Sequence, residues 1–518
     1  MERRNFIKKS ALASLTIPFM FKNYSYAAVT EPLFNLKRSV EDKVLVLICL
    51  NGGNDGLNTL IPIDSYANLY KQRTNIILPE NKLIQVTTKN AFHPAMTGMA
   101  NLLQKGKLSV IQNVGYPTQN RSHFRSTDIW TSGSLEQTIT TGWLGRNFDN
   151  DFPGFPDGFP NETYKDPFAI TMGYEVSATC QGVLGNFSHT VNNPNDALNV
   201  SLSSAVNDGT YYGSHMEFLS TIIAQTNKYG TRVLDAAKKG NNLSQKYDSK
   251  NQLATQLKYV AQMISGGLKT NVYVVNVSGF DTHDSQVLES DTTLGNHADL
   301  LKTVSEAIEA FQDDLTLLGF EQRVIGMTFS EFGRQIASNA SFGTDHGDAA
   351  PLFLFGSCLE TPIYGNNPVI SDQIIHQEGV SMEIDFRDVY ASILKDWFEV
   401  SPVEIQKMFA HEIKFHRIIG GCSLNLDELV DDSTLTLLYP NPVSISATLR
   451  IATQNEFVKV SVYTLLGHEK NNIYEGMLAQ ELHKLPLDFT DLPAGNYILR
   501  IQKNSGDEKV NFFKLKTD

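Results

Sequence analysis

Cysteine, clustered basic residues and long apolar runs are all scarce in this sequence, and each absence excludes a class of protein. The 4 cysteines (Cys49, Cys180, Cys358 and Cys422) lie far apart without zinc-finger spacing, so the sequence predicts no cysteine-ligated zinc and leaves disulfide pairing undecided. The formal net charge of -13 comes without basic blocks, which argues against nucleic acid as a partner. The apolar run at 11–21 is too short to cross a bilayer as a helix, so we expect no transmembrane segment.

Residues 1–27 have the pattern of a twin-arginine export signal. Arg3 and Arg4 precede the short apolar run, and Ser25-Tyr26-Ala27 is a small-x-small cleavage site. We therefore expect cleavage after Ala27 and passage through the twin-arginine machinery into the periplasm. The alternative is an amphipathic first helix. Because this route usually carries folded proteins, often around a metal or cofactor, it also hints at a metal site.

The most informative stretch is Lys43–Pro62, KVLVLICLNGGNDGLNTLIP. Its uninterrupted apolar run, Val44–Leu50, predicts a strand that is buried on both faces, as in a parallel sheet. The run ends in NGGNDG, where three glycines allow unusual backbone angles and close approach. Asp55 lies just beyond the carboxyl end of the strand, which is the edge where open α/β sheets bind ligands. The simpler interpretation is an Asp-Gly turn.

Apolar strands alternate with helical patterns from Lys43 to about Trp397, which predicts a mostly parallel sheet with helices on both faces. After the first strand, the predicted strands are 108–114, 271–277, 324–329 and 352–355. The predicted helices are 122–132, 216–239, 251–264, 299–318 and 386–398. Residues 147–208 are rich in Asn, Pro, Gly and Phe and have little periodicity, so we expect a long excursion that shapes a pocket or covers a face.

The composition changes near Gly420. We predict an α/β domain at 28–419, a linker with an acidic end at 420–432, and a small all-β sandwich at 433–518. The predicted strands of the sandwich are 435–438, 448–452, 458–464, 497–502 and 510–515, with turns such as Pro493–Asn496 between some of them.

Polar side chains gather just beyond the ends of the strands in the α/β domain. The clusters are Asp55 after the first strand, Asn120–Phe124 after the second, Gly279–Asp284 after 271–277, Ser330–Arg334 after 324–329, and Thr344–Asp348 before 352–355. Because the carboxyl ends of parallel strands meet at one edge, we expect these clusters to converge. Carboxylates and imidazoles together suit a divalent cation.

Each cluster also has a simpler interpretation. His283 could be a surface-loop histidine, Glu331 an ion-pair partner of Arg334, and 345–347 a turn. Ser122 begins a predicted helix, where its hydroxyl could cap the backbone. The same position suits a nucleophile, because the helix dipole and free N–H groups stabilise an anion. Two metals about 4 Å apart could clamp the attacking and leaving oxygens of a displacement at phosphorus or sulfur.

Five motifs combine into a recognisable pattern: Asn51–Asn58 (NGGNDGLN), Ser122–Phe124 with Asp128 and Trp130, Phe280–His283 (FDTH), Ser330–Arg334 (SEFGR) and Asp345–Gly347 (DHG). Together they resemble a bacterial family of exported proteins known only as domain of unknown function number fifteen hundred and one. That family in turn resembles the alkaline phosphatase and sulfatase superfamily in fold. The resemblance covers roughly Lys43–Trp397.

The resemblance implies a role for each matching position. Asp55 would be the first-strand metal ligand, Ser122 the nucleophile that bridges the metals, Asp281 with His283 the pair on the other metal, Glu331 a ligand where the superfamily has aspartate, and His346 the late histidine ligand. Arg121 or Arg334 would hold the anionic oxygens of the substrate. The implied cofactor is a divalent metal: zinc, manganese or calcium.

The sequence also departs from the superfamily. Ser330-Glu331-Phe332 stands where the superfamily usually has Asp-His, which leaves one imidazole ligand fewer. Asp281 and His283 are closer together than the usual spacing, and the sulfatase Cys/Ser-x-Pro-x-Arg signature is absent. A single metal, a different metal or a loss of catalysis therefore remain open as alternatives to two-zinc chemistry.

The C-terminal segment resembles the sorting domain of the type IX secretion system of Bacteroidetes. The matching motifs are Tyr439–Pro442 (YPNP), Val462–Gly467 (VYTLLG), Leu492–Tyr497 (LPAGNY) and Lys509–Lys514. The resemblance implies passage across the outer membrane by the type IX machinery, to the cell surface or outside. The alternative is an accessory ligand-binding sandwich.

Two functions follow from these resemblances. The first is an exported metal-dependent hydrolase of a phosphate or sulfate ester, with Ser122 as nucleophile and an anionic small molecule or glycan ester as substrate. The second is a non-catalytic surface protein that keeps the fold and binds a glycan or partner at the same edge. The retained Ser122, Asp281 and His346 favour the first, and the missing imidazole ligand favours the second.

Overall fold

The computed structural model describes residues 43–196 and 210–420 and, in the C-terminal part, 437–439, 443, 445–464, 467–479, 482–504 and 506–514. The predicted signal segment at 1–27, nearly all of the predicted linker at 420–432, and Cys422 lie outside these residues. In the described part, Cys49 and Cys180 are free and buried, and Cys358 is disulfide-bonded. No helix in that part has the length and apolar character needed to cross a bilayer.

The strands of the α/β domain are β1 (Val44–Asn51), β2 (Leu60–Pro62), β3 (Ile84–Gln85), β4 (Asn90–Phe92), β5 (Leu108–Gly115), β6 (Ala169–Met172), β7 (Ser188–Val191), β8 (Val272–Ser278), β9 (Val324–Phe329), β10 (Ala350–Gly356), β11 (Ile363–Tyr364) and β12 (Ile384–Asp385). Its helices are α1 (Gly56–Thr59), α2 (Tyr66–Gln72), α3 (Thr97–Gln104), α4 (His123–Ser132), α5 (Trp143–Asp151), α6 (Tyr211–Lys239), α7 (Gln252–Ser265), α8 (Asn296–Leu318), α9 (Phe386–Asp396) and α10 (Pro402–Met408).

Strand β1 lies near the middle of a sheet that, among the described residues, has the order β11-β5-β10-β9-β1-β8-β6-β7, with β12 also paired to β5. It runs parallel to both neighbours, so Leu45 lies opposite Val272 on one side and Ile325 on the other. The pairs β8–β6, β6–β7, β5–β11 and β5–β12 are also parallel. The mostly parallel α/β fold predicted from the sequence is confirmed.

The uninterrupted apolar run of β1 serves two cores, one on each face of the sheet. Leu45, Leu47 and Cys49 face a core that includes residues of α4, α5, α9 and α10. The alternate side chains, Val44, Val46, Ile48 and Leu50, face a second core with residues of α3, α6, α7 and α8. A strand buried on both faces needs apolar residues at every position, which explains the absence of alternation in its sequence.

Strand β10 is the exception to the parallel arrangement. It lies antiparallel between β9 and β5, with Leu354 opposite Met327 and Ser109. Because β10 runs in the reverse direction, the whole connection 330–349 crosses the edge at which β9 ends. This places the clusters Ser330–Arg334 and Thr344–Asp348 at the same edge of the sheet.

The prediction of a long excursion at 147–208 was wrong for much of this range. It contains β6 and β7, which extend the main sheet beyond β8, while 197–209 lie outside the described residues. Both strands have only four residues, too few to show the periodicity on which a strand prediction depends.

The C-terminal part forms two antiparallel sheets that share one apolar core. Its strands are β13 (Leu437–Tyr439), β14 (Ser446–Ala452), β15 (Glu456–Thr464), β16 (Glu469–Leu478), β17 (Leu482–Asp488), β18 (Gly495–Lys503) and β19 (Gly506–Lys514). The sequence pattern did not predict β16 and β17. The sequence of β16, EKNNIYEGML, is polar because this strand lies at the edge of its sheet and is largely exposed.

Replacing Leu47 with alanine should lower the free energy of unfolding of the α/β domain by about 2–5 kcal/mol, because the side chain is fully buried in β1. All 3 tryptophans (Trp130, Trp143 and Trp397) lie in the core that Leu47 contacts, so tryptophan fluorescence during urea denaturation reports on this domain. Val369→Ala is the control, because Val369 is 90% exposed and should change the unfolding free energy by less than about 0.5 kcal/mol. Equal effects of the two changes would contradict the position assigned to β1.

Candidate metal centre

Four loops meet at the carboxyl edge of the main sheet. They are 52–55 after β1, 116–122 after β5, 279–295 after β8, and 330–349 between β9 and β10. The structure thus brings together the five polar clusters that the sequence placed at strand ends, and side chains from several of them are in direct contact.

Asp281 lies at the centre of the site. Its Oδ1 is 2.8 Å from Nη2 of Arg334 and 3.1 Å from Nε2 of both His283 and His346. Its Oδ2 is 3.4 Å from Nε2 of His123. Three imidazoles therefore direct the same ring nitrogen towards one carboxylate.

The other ring nitrogen of each imidazole is held by an oxygen acceptor. Nδ1 of His123 is 2.9 Å from Oε1 of Glu331, Nδ1 of His283 is 2.9 Å from Oδ1 of Asp345, and Nδ1 of His346 is 2.8 Å from the backbone oxygen of Arg121. Metal-binding histidines are usually oriented in this way, with the non-ligating nitrogen donating to a carboxylate or carbonyl.

The hydrogen bonds decide which nitrogens carry lone pairs. The carbonyl of Arg121 can only accept, so Nδ1 of His346 carries the proton and Nε2 is free. Partial burial would raise the pKa of Asp345, but hydrogen bonds from His283 and Asn339 outweigh it and lower the pKa. The ionised carboxylate then accepts from Nδ1 of His283, which leaves the Nε2 of that ring free as well.

These lone pairs face one another at short range. The Nε2 atoms of His283 and His346 are 2.9 Å apart, and each lies 3.1 Å from Oδ1 of Asp281. Ligand atoms of His123, Asp281 and His346 all lie within 4.8 Å of one another. Unprotonated acceptors at such distances repel unless a cation lies among them. The donor set of three imidazoles and one carboxylate therefore fits the divalent metal that the sequence predicted.

The two central groups have the charge states that metal ligands need. Partial burial would raise the pKa of Asp281, but the hydrogen bond from Arg334 and the adjacent imidazoles of His346 and His283 outweigh it and lower the pKa to about 2. Burial lowers the pKa of His346, more than the proximity of Asp281 raises it. At neutral pH Asp281 is thus a carboxylate and His346 a neutral imidazole.

Phe332 forms the apolar wall of the site. Its buried ring lies 5.0 Å from the ring of His123 and 4.5 Å from that of His346, measured between centroids. Phe332 lies in the segment Ser330-Glu331-Phe332, where the sequence indicated one imidazole fewer than the superfamily it resembles. Its ring packs against two histidines of the site instead.

Glu331, predicted as a ligand, has a different position. Its carboxylate is almost fully buried, and Oε1 accepts hydrogen bonds from the backbone N–H of Gly52 (2.8 Å) and from Nδ1 of His123. Glu331 is therefore the hydrogen-bond partner of His123, and it is His123 that belongs to the group of side chains that could hold a metal ion.

Asp55, also predicted as a ligand, lies outside the metal centre. It is fully buried, and its two oxygens accept from Nη1 of Arg73 at 2.9 and 2.7 Å and from Nε2 of Gln286 at 2.7 Å. It also caps α1 by accepting from the N–H of Leu57. Burial would raise the pKa of Asp55, but Arg73 outweighs it and holds the pKa below its ordinary value. The corrected role of Asp55 is a buried ion pair beneath the site.

Arg334 is engaged with acceptors of the protein itself. Its buried guanidinium donates to the carbonyls of Gly53 (2.6 Å), Thr344 (2.8 Å), Phe280 (3.0 Å) and Gly52, as well as to Asp281. The side chain therefore cross-links three of the four loops and fixes the carboxylate of Asp281.

Arg121 is engaged in a similar way. Its guanidinium forms a two-pronged ion pair with Asp348 at 2.9 and 2.7 Å, and Nη1 donates to the carbonyl of Gln377. The side chain is partly exposed, and each of its three nitrogens donates to a protein acceptor. Both guanidinium groups are thus engaged with the protein, and the anion-binding role of Arg121 and Arg334 stays a prediction.

Ser122 immediately precedes His123 and is exposed at the start of α4. Its backbone is extended, as an N-cap requires, but its hydroxyl makes no capping hydrogen bond. The capping role predicted for the side chain is therefore wrong, and Ser122 is an exposed residue next to His123. A groove of ≈ 430 Å³, lined in part by Asp281, Thr282 and Asp284, opens beside the centre.

His123 is the candidate metal ligand to which the sequence analysis assigned no role. His123 lies in the cluster Asn120–Phe124, but in that cluster the sequence analysis assigned a role only to Ser122, as the nucleophile. The available signal was the spacing: an imidazole in the first turn of a helix that follows a buried strand lies at the same edge as His283 and His346.

Two protein families match parts of the chain. Residues 42–408 match the family described as "Protein of unknown function (DUF1501)", and residues 437–513 match the "Secretion system C-terminal sorting domain". A sorting domain of this kind implies export to the cell surface or outside the cell. No curated protein matches the sequence.

Several solved structures are distantly similar. A protein of the alkaline phosphatase superfamily from Vibrio parahaemolyticus is 10% identical over 100% of this chain and 92% of its own, with a TM-score of 0.32. Alkaline phosphatase from the Antarctic bacterium TAB5 is 8% identical over 62% and 92%, with a TM-score of 0.27. A sulfatase from Pseudoalteromonas sp. is 9% identical over 86% and 84%, with a TM-score of 0.29. Likeness at this level assigns no activity to the chain.

Replacing Arg73 with methionine should destabilise the domain by about 3–5 kcal/mol at pH 7, because it leaves the buried Asp55 carboxylate without its cation. The pKa of Asp55 is lower in the folded protein than the ordinary aspartate pKa of about 3.9. The ion pair therefore contributes its full stability to the fold above that ordinary pKa. This contribution is lost as the pH falls through the pKa of Asp55 in the folded protein. The difference in unfolding free energy between the wild type and Arg73→Met should therefore become smaller at acidic pH. Urea denaturation over a series of pH values measures this difference.

Lys71→Met is the matched control, because Lys71 lies in the last turn of α2, which ends just before Arg73, but pairs with Asp372 at the surface. Its loss should change the unfolding free energy by less than about 1 kcal/mol. An Arg73→Met effect as small as that of Lys71→Met would contradict the assignment of a buried ion pair.

Elemental analysis of the purified full-length protein should find bound zinc or another divalent transition metal. His123→Ala and His346→Ala should each lower the metal content from about one per chain towards zero, because each removes a ligand from a small set. His376→Ala is the control, since His376 is exposed and lies outside the set. Retention of the metal in His123→Ala would reject this ligand set.

Proposed function

Because the chain belongs to the DUF1501 family, whose function is unknown, we propose its function from the geometry of the site: an exported, metal-dependent hydrolase of a phosphate or sulfate ester. One observation carries the proposal. Nε2 atoms of His123, His283 and His346 converge on the carboxylate of Asp281, at the sheet edge where α/β proteins bind ligands.

The ligand set narrows the choice of metal. Calcium prefers oxygen ligands, whereas imidazole nitrogens suit zinc and other transition metals. We therefore place zinc or manganese ahead of calcium among the three cations predicted. When bound, such a cation would act as a Lewis acid that stabilises negative charge on the ester oxygens.

The residues of the chain would supply the remaining functions. Ser122 offers an exposed hydroxyl at the start of the ten-residue helix α4, where free backbone N–H groups favour an anion. We assign it as the nucleophile. Arg334 would keep Asp281 ionised and in place, and Phe332 would exclude water from one side of the imidazoles.

The second candidate is a non-catalytic binding protein at the cell surface. The observation that favours it is the engagement of Arg121 and Arg334 with carboxylates and carbonyls of the protein, which compete with an anionic substrate group for both guanidinium groups. In that case the metal centre would bind its partner without bond cleavage.

The C-terminal sorting domain places the site of action outside the cytoplasm. We further propose that residues 1–27 direct the twin-arginine route across the inner membrane, and that the type IX machinery completes the export. The substrate would then be an anionic small molecule or glycan ester available at or beyond the cell surface.

Ser122→Ala should lower ester hydrolysis by about 10³-fold or more while leaving the metal content unchanged, because it removes the nucleophile but no ligand. A panel of phosphate and sulfate esters, assayed with the metal-loaded full-length protein, measures the rate. Ser371→Ala, at another exposed serine, is the control and should retain the wild-type rate. Equal rates for Ser122→Ala and wild type would reject Ser122 as nucleophile. A wild-type protein that binds metal but cleaves no ester would favour the second candidate.

A further inference from the structure

We propose that Glu331 is a positioning residue that holds His123 in the tautomer and orientation that direct its Nε2 into the metal centre. The inference rests on the metal centre of the proposed function, but it requires no turnover. It gives Glu331 a role different from the ligand role implied by its sequence position.

The carboxylate of Glu331 is fixed from several sides. Its side chain is only 6% exposed, and its Oε1 accepts both the N–H of Gly52 (2.8 Å) and Nδ1 of His123 (2.9 Å). The hydroxyl of Ser330 lies 3.3 Å from Oε2 and itself donates to the carbonyl of Leu50. Glu331 thus connects His123 to the end of β1.

This arrangement determines which nitrogen of His123 can bind a metal. With Glu331 as a carboxylate, Oε1 can only accept, both from the N–H of Gly52 and from His123, so the proton of the shared hydrogen bond belongs to Nδ1 of His123. In a neutral imidazole the lone pair then lies on Nε2. That atom faces Oδ2 of Asp281 at 3.4 Å.

His123 depends on its partner more than the other two histidines do. His346 is held by a backbone carbonyl, which no substitution removes, and the partner of His283, Asp345, is half-exposed. Of the three histidines, His123 alone has a buried side chain as its acceptor. A change at Glu331 should therefore release one imidazole and leave two.

The test uses two substitutions of similar size in the full-length protein. Glu331→Gln keeps an acceptor oxygen, whereas Glu331→Met removes it. Pulsed electron paramagnetic resonance of the Cu²⁺-loaded protein counts the coordinated imidazoles, and titration with Zn²⁺ measures the affinity. We expect three imidazoles in the wild type and in Glu331→Gln, and two in Glu331→Met and His123→Ala. Glu331→Met should bind Zn²⁺ about 10–100-fold more weakly.

The tautomer can also be observed without metal. In protein labelled with ¹⁵N-histidine at about pH 8, well above the ordinary imidazole pKa, the signals lost in His123→Gln identify this residue. We expect the Nδ1–H form in the wild type and a shift towards Nε2–H in Glu331→Met. Asp345→Asn is the control and should leave the signals of His123 unchanged.

Several outcomes would overturn the proposal. One is a folded Glu331→Met protein that still coordinates three imidazoles. Another is weaker Zn²⁺ binding with an unchanged number of imidazoles, which is the result expected if Glu331 only supports the loop at Gly52. If Glu331→Met does not fold, as judged by tryptophan fluorescence, an Nε2–H tautomer of His123 in the wild type overturns it equally. A wild-type protein that coordinates three imidazoles, with two in Glu331→Met, but hydrolyses no ester would reject the hydrolase function and still support this inference.

Discussion

The site depends on one buried guanidinium. Arg334 donates to carbonyls of the loop after β1, the loop after β8 and the connection before β10, and also holds the carboxylate of Asp281. Buried carbonyls that lack donors are costly. Arg334 satisfies several of them at once and thereby fixes the relative positions of the loops. The candidate metal centre is built around this cross-link, because Asp281, around which three imidazoles gather, is one of the acceptors of Arg334.

The glycines after β1 make this close approach feasible. A Cβ on Gly52 would lie 2.2 Å from the backbone nitrogen of Asp281, and one on Gly53 would lie 2.4 Å from the ring of Phe332. Both glycines also have positive φ angles, which disfavour other residues. Their backbone groups are used fully: the N–H of Gly52 holds Glu331, and both carbonyls hold Arg334. The loop is therefore a structural platform for ligands that come from other loops.

The polar residues at the carboxyl edge of the main sheet form two sets with different contacts. Asp55, Arg121 and Arg334 are engaged in ion pairs and backbone contacts, and they hold the loops together. His123, Asp281, His283 and His346 retain atoms that face one another. Because the second set is rich in imidazole, it suits a transition metal, and the sorting domain implies export to the cell surface or outside the cell. The proposed hydrolytic function depends on the exposed Ser122.

The sequence alone determined the framework. The apolar run of β1, the helical patterns from α6 to α9 and the polar clusters at strand ends predicted an α/β sheet with a site at one edge. Burial leaves a local pattern in the sequence, which is an uninterrupted apolar run in a strand covered on both faces and a helical period in an amphipathic helix. Tertiary structure decided which atoms meet. Glu331 and His123 are in contact although 208 positions separate them in the sequence, and 53 positions separate Arg334 from Asp281. No local sequence pattern predicts contacts between such distant residues. The reversed direction of β10 and the short strands β6 and β7 were equally invisible, since strand order arises from packing between distant segments. The exchange of roles between Glu331 and His123, and the burial of Asp55, follow from those long-range contacts rather than from residue type.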